Sequence, residues 1–182
     1  RGEDMSQPRY NKATIAIHWL TLLLMIAVYC TMEFRGMFER GSEPRELMKT
    51  VHYMLGLSIF FLTFLRLALR FSQPYPAIEP APAVWQHKLA ALVHLAIYAF
   101  MIAMPLLGWL ILSAEGKAIP FFGLELPALM SPNDESAELF EEIHELVATA
   151  GYALLGLHAV AAIFHHHIVK DNTLKRMSLK GY

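Results

Sequence analysis

Nine histidines punctuate a chain of 182 residues, and two of them carry the most information. His144 and His158 lie 14 positions apart. At about 100° per residue, that spacing brings them to within about 40° of one helix face. At about 1.5 Å of rise per residue, it separates them by about 21 Å along the axis. One helix would therefore present two imidazoles in nearly one direction at two heights. Imidazole binds metals, carries protons near neutral pH or makes a plain hydrogen bond. The other seven are His18, His52, His87, His94 and the run His165, His166 and His167. His144–Glu145 begins like the zinc motif H-E-x-x-H, but the closing position holds Ala148, so the motif fails. The run of three cannot turn all its rings to one site at a helix end. A single cysteine, Cys30, excludes an internal disulfide and a cysteine-rich zinc or iron–sulfur site, and reads as a small buried hydrophobe.

The elements that must position these histidines are apolar. The chain is 55% hydrophobic and 17% charged, against roughly 45–50% and about 25% in a soluble domain. With a formal net charge of −1, it offers no global basic surface to nucleic acid. Four stretches, at about 13–32, 51–69, 89–112 and 146–169, approach or reach the roughly 20 apolar residues that cross a bilayer. The first is longer than a typical signal-peptide core and contains His18, so it reads as a span; Arg1 to Asp4 are set aside. Three linkers join the spans. Arg35 to Lys49 is polar, and Phe71 to Gln86 carries Pro74, Pro76, Pro80 and Pro82 and should be extended. Ser113 to Ile143 holds a candidate short amphipathic helix at SAELFEEIHEL. The expected architecture is one all-α domain over residues 1–182, a transmembrane up-down four-helix bundle. Arg1, Arg9, Lys12, Arg66, Arg70, Lys88, Lys170, Lys175, Arg176 and Lys180 fall on one side of it, and Arg35, Arg40, Arg45, Lys49 and Lys117 on the other. The positive-inside rule then puts both termini in the cytoplasm.

In that frame the histidines acquire depths. An ionisable side chain within a span is costly and marks function by default, although a single one can also be a hydrogen-bonded packing residue. His144 and His52 fall near the outer surface, and His158 and His18 toward the inner one. Two bis-histidine pairs follow, one near each surface. His94, in the inner half of the third span, is an alternative partner for His158 or a quinone-site residue. His165 and His166 are secondary candidates of the same kind. Haem is the economical occupant of a bis-histidine pair in a bundle core, since it is large, apolar and takes axial imidazole. Gly56, Gly151 and Gly156 would let a flat macrocycle approach the backbone. Arg66, Arg70 and Lys170 inside, and Arg35 and Lys49 outside, are candidate partners for its propionates. No C-x-x-C-H motif attaches a c-type haem. Tyr98, Tyr152 and Trp109 read as packing or interface aromatics, and Pro105 as a tolerated kink.

IHWL at Ile17–Leu20, YCTMEFRG at Tyr29–Gly36, HLAIY at His94–Tyr98, GY…GLHA between Gly151 and Ala159, and His165, His166 with Lys170–Leu174 resemble the bacterial cytochrome b561 family along almost the whole chain. The resemblance implies a four-helix bundle in the bacterial inner membrane with two b haems. His18 and His158 would hold the cytoplasmic-side haem, and His52 and His144 the periplasmic-side one. It also implies electron transfer from superoxide to ubiquinone. Arg35, Arg40, Arg45 and Lys49 lie beside His52, where a basic patch would steer a small anion; Glu33, Glu39, Glu43 and Glu46 are interleaved among them. Two other functions compete. One is an electron-conducting haem b anchor subunit of a larger dehydrogenase or hydrogenase, which would co-purify with that enzyme. The other is a non-haem proton or metal transporter built on buried histidines, which would be stable and colourless.

Overall fold

The computed structural model describes residues 9–179; Arg1 to Asp4 and Lys180, which entered the reading above, lie outside them. Four long helices account for most of the described chain: α1 (Lys12–Phe34), α2 (Glu43–Ser72), α3 (Val84–Ala114) and α4 (Asp134–Phe164). All four are long and apolar enough to cross a membrane. Three of them begin where a side chain accepts from an amide at the helix start. Asn11 Oδ1 accepts from Thr14 N at 2.7 Å and Asn133 Oδ1 from Ser136 N at 2.8 Å. Gln86 reaches back to accept from Ala83 N at 3.0 Å. Helix α2 starts at Ser42–Glu43–Pro44, with proline where its missing N–H costs nothing.

Three boundaries differ from the sequence reading. The SAELFEEIHEL stretch is not a separate amphipathic helix; it is the first three turns of α4. Likewise the second half of the first linker, from Glu43, belongs to α2, leaving a 3-10 turn at Arg35–Met37 and a short loop. Acidic residues exclude these turns from a hydropathy span, but they suit a helix N-terminus outside the bilayer. The third linker also carries a small hairpin, Ile119–Phe121 (β1) against Leu124–Leu126 (β2). Its turn residues Phe122 and Gly123 both have positive φ, 48° and 84°, as a tight two-residue hairpin demands.

Helix α1 packs along α2, α2 along α3, and α3 along α4. Helix α4 meets α1 mainly through side chains: the Tyr29 hydroxyl donates to Ala148 O at 2.7 Å, and the Tyr29 and Tyr152 rings lie 4.5 Å apart. Met25, Ile59, Phe100, Met101 and Met104 form the buried core. The outward faces remain apolar on every helix, for example Leu22, Leu23, Phe61, Phe64, Leu92, Leu95, Leu157 and Val160. Such a continuous apolar belt belongs in lipid. Three hydroxyls inside the helices return to their own backbone, Thr21 to Ile17 O, Ser58 to Met54 O and Thr63 to Ile59 O, so these are satisfied without water.

Candidate cofactor site

Helix α4 brings its two predicted rings to two different neighbours. At the outer end His144 faces His52 of α2, with ring centroids 6.2 Å apart. At the inner end His158 faces His18 of α1, with centroids 6.3 Å apart. A first-row metal ion sits about 2 Å from an imidazole nitrogen, so two rings on opposite sides of one ion have centroids about 6 Å apart. Both pairs have that opening. The His166 and His167 rings, by contrast, lie 4.7 Å apart. Among the described residues no third histidine, cysteine or carboxylate joins either pair to make a metal-binding cluster. Two protein donors suit an ion whose other donors come from a macrocycle, as in haem, better than a bare zinc ion that takes three or four protein ligands.

The glycines divide. Gly56, one turn deeper than His52 on α2, has nothing within 4 Å of where a Cβ would stand, and a Cβ at Gly108 would meet His144 Cε1 at 3.6 Å. These two leave room beside the outer pair. Gly156 also faces open space, but on the exposed side of α4. Gly151 does not serve a macrocycle: a Cβ there would collide with the Tyr29 hydroxyl and the Phe100 ring. It instead lets α4 close against α1 and α3 in the layer between the two pairs.

The surroundings of each ring are specific. His52 Nδ1 lies 3.0 Å from Val28 O and 3.2 Å from Thr31 Oγ1. A carbonyl only accepts, so this Nδ1 carries the proton and Nε2 keeps its lone pair. The Thr31 hydroxyl in turn donates to Val28 O at 2.6 Å. His18 Nδ1 instead lies 3.2 Å from Arg66 Nη2, and Arg66 also lies over Tyr98. Neither contact is visible in the sequence: Val28 enters through its backbone, and Arg66 looks like the end of a span. His94 sits 5.3 Å from His158, nearer than His18 does, and its residue is exposed. It is a neighbour of the inner pair, set closer than a shared ion would place it.

The remaining candidates are scattered or engaged. Arg70 stacks over Tyr75 at 3.6 Å. Lys49 pairs with Glu46 at 2.7 Å, and Arg45 donates to Arg35 O and Phe38 O, bracing the turn after α1. The expected outer basic patch is thus reduced to Arg35 and Arg40, which form no ion pair among the described residues. Lys117 is also engaged: its hydrogen bond with Glu115 holds its ammonium above the ordinary lysine value. Lys170 is exposed, in a left-handed turn at φ 59°, and His87 is exposed on α3. His165–Val169 form a π-helical turn, in which His165 Nδ1 donates to Asp171 at 2.5 Å. Trp109 and Tyr152 do pack at the interfaces, donating to Pro127 O and Glu33, and Cys30 is half-buried.

The model of one family, described as prokaryotic cytochrome b561, matches residues 9–179. The chain belongs to the prokaryotic cytochrome b561 family. Cytochrome b561 homolog 1 of Escherichia coli (strain K12) is 42% identical over 169 residues, covering 93% of this chain and 96% of that one. Probable superoxide oxidase CybB of Yersinia pestis is 38% identical over 172 residues, covering 94% and 97%. Cytochrome b561 homolog 2 of Escherichia coli (strain K12) is 28% identical over 177 residues, covering 93% and 90%. This cytochrome b561 is therefore a bacterial membrane protein of an electron-transfer family whose cofactor is haem b.

Proposed function

We propose that this cytochrome b561 binds two haem b groups, one between His52 and His144 and one between His18 and His158, and carries electrons between them across the membrane. The observation behind this reading is that both ring pairs share α4 and open to the width of one bound ion. Haem supplies the one-electron chemistry. The chain supplies the rings, an apolar partition built on Met25, Phe100 and Met101, and guanidinium groups for propionates, with Arg66 and Arg70 inside and Arg35 outside. Both termini and the 73–83 linker lie in the cytoplasm, in keeping with the excess of Lys and Arg on that side.

Superoxide is the donor and a ubiquinone-type quinone the acceptor. The support is the resemblance to a probable superoxide oxidase over 94% of the chain. Two superoxide anions each lose one electron and leave as dioxygen; the quinone takes both electrons and two protons to become quinol. Arg35 and Arg40 are the outer-end cations left to draw in a small anion. His165 and His166 are titratable groups at the inner end.

The test is made on the detergent-purified full chain. A pyridine haemochrome count should give two b haems per chain. An enzymatic superoxide source with a short-chain ubiquinone should then produce quinol faster than the source alone. No gain over the source alone overturns the donor assignment. Quinone reduction only with a co-purified dehydrogenase would make the chain an anchor subunit instead.

A further inference from the structure

The outer and inner ring pairs differ in what lies against one Nδ1 of each, that of His52 outside and that of His18 inside. We propose that this difference orders their reduction potentials: the His52–His144 site is the lower and the His18–His158 site the higher, so an electron entering outside runs downhill to the inside. This rests on the reading of both pairs as haem ligands.

At the outer pair, His52 Nδ1–H donates to Val28 O at 3.0 Å, with Thr31 Oγ1 at 3.2 Å. Donation to a carbonyl makes the other nitrogen more basic. A more basic axial nitrogen stabilises oxidised iron, the more positive form. At the inner pair, His18 Nδ1 meets the opposite kind of group. Arg66 only donates, and it stays protonated in proteins. Its charge, 3.2 Å from the ring within the membrane-spanning bundle, favours reduced iron, the less positive form, because low polarity strengthens charge interactions. Binding iron through His18 Nε2 needs the proton on Nδ1, so in the loaded site the guanidinium would turn from the ring to a propionate, and its charge would stay beside the site.

The other charges reinforce the order. Arg70 and Arg176 lie at the inner end, against Tyr75 and Tyr10, and neither forms an ion pair among the described residues. The inner carboxylate Asp171 accepts from His165 Nδ1 and Thr173 N. At the outer end, the pairs Lys49–Glu46 and Lys117–Glu115 cancel internally. Glu33 accepts there from the Tyr152 hydroxyl at 2.5 Å. Arg35 and Arg40 are cations at that end, but neither donates to a ring. With both pairs loaded, one electron would pass from the outer group to the inner one, oxidising the first and reducing the second with no proton exchanged.

The experiment is a potentiometric titration of the full holoprotein, followed at the reduced haem band, with the haemochrome count on the same sample. Two one-electron steps are expected. His144→Ala should keep only the higher step and His158→Ala only the lower. Arg66→Gln should lower the higher step and leave the other in place, while Arg66→Lys, which keeps the charge, should stay nearer the parent. Two haems in the reverse order, or an Arg66→Gln variant with both steps unmoved, overturn the proposal alone. Should Arg66→Gln fail to hold the inner haem, the order found in the two histidine variants decides. Fewer than two haems in the parent chain overturns the ligand reading and this proposal with it.

Discussion

Alanine at position 158 removes one ring of the inner pair and touches nothing at the outer pair. His158→Ala and His144→Ala should therefore each cost about one haem of two, read by haemochrome. His94→Ala should cost none, because its ring stands 5.3 Å from His158, closer than a shared ion allows. The 14-residue spacing already placed His144 and His158 on one face; depth matched His144 to His52, but left His94 beside His18 as a partner for His158. What the spacing could not reveal was the partner of each Nδ1, since a backbone carbonyl at Val28 and a guanidinium 48 positions from His18 leave no local pattern. Asp171 was likewise visible only as part of a family run. It is 2% exposed; burial alone would raise its carboxyl, but the bonds from His165 Nδ1 and Thr173 N hold it below the ordinary value. The ionised form thus stabilises the fold above the unfolded pKa of about 3.9, and this is lost as pH falls through the lowered one. Hydrogen exchange at residues 172–177 should accelerate as pH drops below about 4, beyond the intrinsic trend. Asp171→Asn should remove that acid-dependent excess. An equal excess in both chains would count against the Asp171 clamp.

Helices are where the reading from sequence was best and where it erred by a few turns. The four apolar runs are there, but α2 begins at Glu43 and α4 at Asp134, each extended by acidic turns that a hydropathy window discards. Gly151 shows a second limit. Its place in an apolar run suggests room for a ligand, whereas only the packed bundle shows Tyr29 and Phe100 occupying that space. Gly151→Ala should force α4 away from α1, strain the Tyr29–Ala148 hydrogen bond and cost about 1–3 kcal/mol, the usual range for overpacking. A thermal melt of the holoprotein reads this as a lower midpoint; an unchanged midpoint would mean that the aromatic rings yield freely. The strap after α4 has comparable weight. Asn172 accepts from Glu79 N at 3.0 Å and donates its backbone N–H to Glu79 O, while the Arg176 guanidinium donates to Pro76 O. The proline-rich linker is thereby pinned to the C-terminal segment, which the extended-linker expectation did not foresee.

For the molecule as a whole, charge sets direction. The Lys and Arg asymmetry predicts that the 73–83 linker faces the cytoplasm and the loop before α2 faces outward. In a Cys30→Ala background, Ser42→Cys should react with a membrane-impermeant maleimide in spheroplasts, and Ala81→Cys only after lysis. The reverse pattern would invert the proposed electron path. The sharing of α4 between both ring pairs bears also on biosynthesis. Helix α4 is the last of the four to leave the ribosome, and it supplies one ring to each pair. Neither pair exists until that final helix is made and inserted beside α1 and α2. A nascent chain stalled after α3 offers single, unpartnered imidazoles and cannot clasp a macrocycle from both sides. Loading is thereby confined to molecules whose translation has passed the final helix, and the order of synthesis itself guards against a half-built, redox-active intermediate.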